Sequence, residues 1–261
     1  MRSGAALAIL LAAGLGAGCS IVPALPLPQA PQEPTLAEAG ARLAQRTPCC
    51  RDWSELAFRA RLPAEPQRFR FDDPMPVVEI DGQRSYALGL RLPAADPPYS
   101  VLFKAELSGR WLRTSYLFAP TVVLLDADLR TLRVVDVPLC ESIGLTDATT
   151  GAFGRVDVDD PRARFMVVAS SARQLAATTY WEQSPAGLGN DVLTGGSGTL
   201  GKPPTMASSG SFQIPHGPAG TLHVGRLTPK YARVLDDAIC GKPGQGQGLL
   251  KDVRDVIRKQ F

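Results

Sequence analysis

Two stretches decide the fold class: Ser85-Tyr-Ala-Leu-Gly-Leu-Arg-Leu92 and, after a Pro-rich break, Tyr99-Ser-Val-Leu-Phe-Lys-Ala-Glu-Leu107. Tyr86, Leu88, Leu90 and Leu92 alternate with other residues, and so do Val101, Phe103, Ala105 and Leu107. In an extended chain alternate side chains point to opposite faces, so a period of two reads as a strand with one buried face. Val77-Val78 and Val122-Val123-Leu124-Leu125 are instead unbroken apolar runs bounded by Pro or Asp, the pattern of strands covered on both faces. Asp81-Gly82, Asp96-Pro97-Pro98, Ser108-Gly109 and Asp126-Ala127-Asp128 supply the turns between them. Residues 61–150 are therefore predicted to form an antiparallel β-sandwich.

Outward from this block the pattern becomes mixed. Upstream, in an N-terminal segment of residues 35–60, Thr35-Leu36-Ala37-Glu38 has capping-box spacing. Leu36, Ala39 and Leu43 follow on one face, so a short helix is expected to end near Arg46. Downstream, residues 151–261 read as a smaller α+β region. Phe165–Ala169 is a strand, Ser170-Ser171 can cap, and Arg173–Trp181 can form a short helix. Residues 187–210 are rich in Gly, Ser and Pro without periodicity and read as a loop. Thr221–Gly225 is strand-like, and Thr228-Pro229 opens a helix with Pro in its first turn. Leu249, Leu250, Val253, Val256, Ile257 and Phe261 recur at helical spacing, which predicts a C-terminal helix. The expected fold is mainly β, an antiparallel sandwich followed by a smaller α+β region and that helix.

The chain has 261 residues, 44% hydrophobic and 20% charged, a globular composition that excludes wholesale disorder. Lys+Arg 28 against Asp+Glu 25 gives a net charge of +3, too small an excess for a nucleic-acid partner. Residues 1–18 carry Arg2, an apolar run from Ala5 to Ala13, and small residues before Cys19, the layout of an export signal. The run is shorter than the ~20 residues that span a bilayer. It resembles a bacterial lipoprotein signal, in which Cys19 is lipidated after cleavage, and Ser20 in place of Asp points to the outer membrane. Residues 19–34 contain Pro23, Pro26, Pro28, Pro31 and Pro34 and read as an extended tether.

Without Cys19 four cysteines remain: Cys49, Cys50, Cys140 and Cys240. An even number in an exported chain points to disulfides. Three pairings are open. Adjacent cysteines are an awkward pair, so the expected scheme sends one of Cys49 and Cys50 to Cys140 and the other to Cys240. No Cys-x-x-Cys spacing supports zinc or thioredoxin-like chemistry.

Signals for catalysis are weak. Gly196 to Lys202 matches the start of a phosphate loop, but Pro203-Pro204 replaces the Mg²⁺-binding hydroxyl and forbids the helix that must follow. Ser197 and Ser209 lack the frame of a nucleophile elbow. His216 and His223 flank a turn and read as turn and strand residues. Asp157, Asp159 and Asp160, and Asp126 with Asp128, could offer oxygens to Ca²⁺ but fit a polar strand face and a turn. Glu55, Glu79, Glu106 and Asp81 show no spacing that would place a carboxylate pair across a sugar. Aromatic residues are more telling. Tyr86, Tyr99, Trp111, Tyr116 and Phe118 cluster in the β region, and flat rings beside polar groups stack on the apolar faces of sugars.

Several blocks resemble the maltose-operon periplasmic protein family. They are Leu117–Asp126, Phe165–Ser171 continuing through Gln174-Leu175 to Thr178-Thr179, Gly187–Asn190, and His216 ahead of Gly220–Val224. Together they cover about residues 75–226 in the family's order. The resemblance implies a periplasmic protein made with maltose and maltodextrin uptake, with no catalytic residues to carry over. The expectation is a non-enzymatic lipoprotein without cofactor, metal or nucleic acid, held to the outer membrane through Cys19. It would bind maltodextrin or a related glycan, with Trp111, Tyr116 and Tyr86 stacking the sugar and Arg113 and Arg84 bonding its hydroxyls. The alternative is a scaffold that contacts a porin or transport component and binds no sugar.

Overall fold

The computed structural model of the chain describes residues 33–93, 97–109, 114–142, 146–182 and 211–240. The export signal, Cys19, most of the tether, the loop of residues 187–210 and the expected helix of residues 249–261 lie outside the described residues.

The described chain is mainly β and antiparallel. One sheet runs in the order β1 (Ala60–Arg61), β5 (Leu88–Arg91), β11 (Phe165–Ala169), β7 (Thr121–Leu125) and β8 (Thr131–Asp136). The second runs β2 (Gln67–Phe71), β14 (Gly220–Arg226), β6 (Tyr99–Ala105), β10 (Gly151–Val158) and β9 (Cys140–Ser142). Only the β1–β5 pairing among these is parallel. Two hairpins complete the set, β3 (Val77–Ile80) with β4 (Gln83–Tyr86), and β12 (Thr178–Glu182) with β13 (Ser211–Pro215). Asp81 and Gly82, at φ 51° and 77°, make the first hairpin's two-residue turn, as their pairing in sequence predicts.

The inner faces of the two sheets share one core. Leu90, Val122, Leu124, Met166 and Val168 from the first sheet meet Phe71, Val101, Phe103, Val156, Leu222 and Val224 from the second. The rings of Phe71 and Phe118 stack with centroids 4.1 Å apart. The opposite side chains of the first sheet, Val123, Leu125, Val167 and Ala169, form a second cluster under Leu56, Val78, Ile80 and Ala87. That cover explains why β11 is apolar at every position and β7 at every position but Thr121. Each buried large aliphatic side chain contributes roughly 1.5–3 kcal/mol.

Three helices pack around the sandwich. Helix α1 (Leu36–Gln45) carries the expected capping box, with Thr35 N donating to Glu38 Oε2 at 2.8 Å and Glu38 N to Thr35 Oγ1 at 3.3 Å. It buries Ala39 and Leu43 in the main core. Helix α2 is the single turn Ala172–Leu175, and α3 spans Pro229–Asp236 against β9 and β10. The ring of Tyr231 lies 6.3 Å from that of Phe153.

Three expectations need correction. A boundary at residue 150 would cut through both sheets, because β11 inserts between β5 and β7 while β14 inserts between β2 and β6. The helix expected through Trp181 stops at Leu175; Thr178-Thr179-Tyr180-Trp181 is β-branched and aromatic, and becomes strand β12. The disulfides join Cys49 to Cys50 and Cys140 to Cys240. Place in the fold decides this pairing. Cys49 N donates to Val77 O at 2.7 Å, and Cys50 packs on the outer cluster of the first sheet. Cys140 opens β9 at an edge of the second sheet, where Ile239, next to Cys240, bridges to Glu141.

Candidate functional site

The expected sugar site does not assemble among the described residues. Trp111 and Arg113 lie outside them, as does Cys19. Tyr86 and Tyr116 are 2% and 1% exposed, so neither ring offers a face to a sugar. The Tyr116 hydroxyl donates to Pro34 O at 3.1 Å, and burial pushes it up to about 12. Arg84 is exposed, but its Nη1 donates to Ala44 O at 2.7 Å and Arg46 O at 3.1 Å. A cation on the last carbonyls of a helix caps it, and that is what Arg84 does for α1.

Polar groups instead collect at the two ends of the sandwich. At the end where the chain enters from Glu33, they form a buried lock. His216 Nδ1 is 2.7 Å from Gln174 O, and Nε2 is 2.8 Å from Thr179 Oγ1. A carbonyl oxygen only accepts, so Nδ1 carries the proton and Nε2 accepts from the threonine. Burial lowers the imidazole's pKa, which keeps it neutral. With both nitrogens engaged, His216 serves as a tie rather than a base. Gln174 Nε2 donates to Pro120 O and Val137 O at 3.0 and 2.9 Å. Asp136 accepts from Thr121 Oγ1 at 2.6 Å, from Ser171 Oγ at 2.9 Å and from Arg173 Nε at 2.8 Å. The sequence had flagged Ser171 as a cap, which it is, accepting from Gln174 N at 3.2 Å. The link to Thr121 and Asp136 was invisible because it crosses strands. A groove of about 530 Å³ beside this lock, lined by Gly40, Leu43, Gln83, Arg84, Leu175 and His216 among others, has no Phe, Tyr or Trp on its walls.

The carboxylates of Asp126, Asp157, Asp159, Asp160 and Glu106 are committed to local partners. Asp126 Oδ1 accepts from Asp128 N and Arg130 N, both at 2.9 Å, which makes it a turn residue. Asp157 accepts from Ser100 Oγ, Asp159 pairs with Arg133, and Arg162 holds Asp160 down to about 2. Burial pushes Glu106 up, but the hydrogen bond and charge of His223, with Arg68, outweigh it and leave this carboxyl below its ordinary range. Among the described residues no three His, Cys, Asp or Glu side chains gather as metal ligands.

The opposite end carries cations. Tyr99, at the start of β6, is half-buried, and the Arg226 guanidinium sits 5.3 Å from its ring centroid, a cation–π contact. Burial raises the Tyr99 hydroxyl, while the charges of Arg226 and Arg164 hold it back in part. Arg164 Nη1 is anchored on Pro161 O at 2.7 Å and Ala163 O at 2.9 Å. Arg61 and Arg91 are register partners on β1 and β5, and Arg91 is in register with Phe165, next to Arg164. Leu62 N donates to Arg91 O at 2.8 Å and Arg226 N to Pro63 O at 2.9 Å. The segment after β1 therefore crosses from one sheet to the other, while Arg61 and Arg91, alternating with the inward Ala60 and Leu90, lie on the outer face of the first sheet with Phe165. None of Arg59, Arg61, Arg91, Arg164 and Arg226 pairs with a carboxylate among the described residues. Glu65, on the same crossing, is exposed and forms no ion pair with them.

Tyr99 belonged to the aromatic cluster seen in the sequence, and one signal could have singled it out. It shares the inward parity of Val101, Phe103 and Ala105 but stands first in the strand, at the mouth of the sandwich. No family model, no curated protein and no solved structure matches this chain.

Proposed function

We propose that this is an exported, lipid-tethered, non-enzymatic protein of the envelope that binds a glycan at the arginine-lined end of its sandwich. The observation that carries the reading is Tyr99 at the mouth of the sandwich with the Arg226 guanidinium against its ring. A flat apolar face flanked by fixed guanidinium donors suits a sugar, whose ring offers C–H faces and whose rim offers oxygen acceptors. Placement supports it too. The chain enters at the other end, where Glu33 Oε2 accepts from Gly109 N at 2.8 Å and Tyr116 holds Pro34. A seven-residue strand, β6, runs between the two ends, roughly 20 Å. The arginine end is thus the one farther from Glu33.

Calorimetric titration of the full mature chain with a panel of oligosaccharides, maltodextrins included, tests this reading. Saturable heat with any member supports it; a folded sample that gives none with all members overturns it. Globomycin should accumulate an uncleaved precursor if Cys19 is lipidated, and normal processing would sink the anchor. The aromatic-free groove beside α1 favours a second reading, a scaffold that takes an apolar side chain of a porin or transport component. In-cell cross-linking from Gly40, which faces open space, tests it.

A further inference from the structure

The two disulfides differ in what they join. Cys140–Cys240 has a sequence separation of 100 and restrains a long loop, whereas Cys49–Cys50 has a separation of 1 and ties no distant segments together. A bond that closes a single peptide unit supplies almost none of the loop-closure entropy by which a disulfide stabilises a fold. Its surroundings suit chemistry instead. Cys49 is exposed and Cys50 half-buried, and both line a cavity of about 480 Å³, a size that holds a small molecule. The wall is fixed by its backbone: Cys49 N donates to Val77 O on β3, Arg51 N to Glu55 Oε2 at 2.9 Å, and Ser54 N to Asp52 Oδ1 at 2.8 Å. Charges of both signs line the same cavity. Arg51 and Glu79 belong to it, and neither forms an ion pair among the described residues. The two sulfurs also differ in access, since Cys50 packs on the outer cluster of the first sheet and Cys49 is open to solvent.

We propose that Cys49–Cys50 is a thiol–disulfide exchange site whose substrate is a low-molecular-weight thiol bearing both an ammonium and a carboxylate group. The substrate thiolate attacks Cys49 Sγ; the S–S bond breaks and its electron pair leaves on Cys50 Sγ, which takes a proton from water. A second substrate thiolate attacks the substrate sulfur of the mixed disulfide, releasing the substrate disulfide and returning Cys49 as a thiol. Together the two steps oxidise two substrate thiols and reduce one protein disulfide by two electrons. The substrate disulfide reverses both steps, so exchange needs no other oxidant. Arg51 meets the substrate carboxylate and Glu79 its ammonium, which gives the cavity a preference for a zwitterion. The site shares no residue with the arginine end and does not depend on a glycan there.

The test incubates the full mature chain with L-cysteine, N-acetylcysteine or 2-mercaptoethanol, quenches with iodoacetamide, and locates labelled and adducted cysteines by peptide mass. In the folded chain L-cysteine should open Cys49–Cys50 and leave Cys140–Cys240 intact, and cystine should close it again. Per thiolate, L-cysteine should react about tenfold faster than either comparison thiol, the factor expected of one charge-assisted bond. Arg51→Gln and Glu79→Gln should each bring that ratio toward one, while Arg42→Gln on α1 leaves it unchanged. Cys50→Ser, which leaves Cys49 as a lone exposed thiol, should take up cysteine from cystine about tenfold faster than Cys49→Ser, with thermal melts confirming that each variant folds. Opening of Cys140–Cys240 as fast as Cys49–Cys50 would overturn the proposal, as would no opening of Cys49–Cys50 by a large excess of L-cysteine. Equal rates per thiolate for the three thiols would overturn the zwitterionic substrate, and equal uptake by the two serine variants the assignment of Cys49 as the attacked sulfur.

Discussion

The two ends of this sandwich handle polar chemistry in opposite ways. At the entry end, His216, Gln174, Ser171, Thr121 and Asp136 are largely out of water, and their hydrogen bonds close on one another and on the backbone. At the far end, the arginines bond carbonyls and a ring but find no carboxylate among the described residues. Polar groups satisfied inside the molecule specify its structure; polar groups left with capacity at its edge specify what it meets. Damage at the first end should therefore appear as lost stability, and damage at the second as lost binding.

The largest expected effect breaks the lock. Gln174→Leu leaves Pro120 O and Val137 O buried without their donor, and should cost about 2–4 kcal/mol in urea unfolding. A loss within about 0.5 kcal/mol would show that the two ends do not differ in this way. A pH series sharpens the contrast. The folded pKa of His216 lies below the ordinary 6.5, so the unfolded chain takes up the proton first as pH falls. Stability from keeping it neutral is full above that value and is lost as pH drops from there toward the folded pKa. His216→Gln should flatten this part of the pH profile, and an unchanged slope would refute the neutral tie. The Glu106 contribution has a different window. Its lowered pKa gives stability present above 4.5 and lost as pH falls through the folded value.

Smaller effects have the opposite sign. Ser170 Oγ is buried without a hydrogen-bond partner, so Ser170→Ala should leave stability unchanged or raise it by about 1 kcal/mol. Arg91→Gln removes one of two facing cations and should gain a few tenths, roughly 0.2–0.5 kcal/mol, in the same assay. A clear loss on removing Arg91 would mean that its bond to Arg59 O holds β1 in place.

Local pattern made the strands legible, and where pattern stopped so did the reading. The unbroken run from Val122 to Leu125 was read as doubly covered, and the two core clusters divide its side chains as that requires. The alternation that revealed the strands also put Tyr86 in line with Leu88 and Leu90, on the inward face, so its burial was legible even though it was offered as a sugar platform. Arg84 was misread for a different reason, since only the fold shows that the end of α1 lies beside the hairpin. The rim was not legible at all. It sets Arg226, at the end of β14, against Tyr99, at the start of β6, and nothing local in the chain links them. Pairing of Cys140 with Cys240, 100 residues on, depends in the same way on which edge each segment reaches.

The strand order has a consequence for how the molecule is made. Strand β14 lies between β2 and β6, and β11 between β5 and β7, so neither sheet has its interior until late segments arrive. Contacts this distant in sequence form slowly. The second sheet can start from β6, β10 and β9, but β2 has no partner in it until β14, Gly220–Arg226, has been synthesised. Among the described residues the late strand β14 is thus the piece that ties the N-terminal strand β2 into the sandwich, and a chain released before residue 226 would lack that tie.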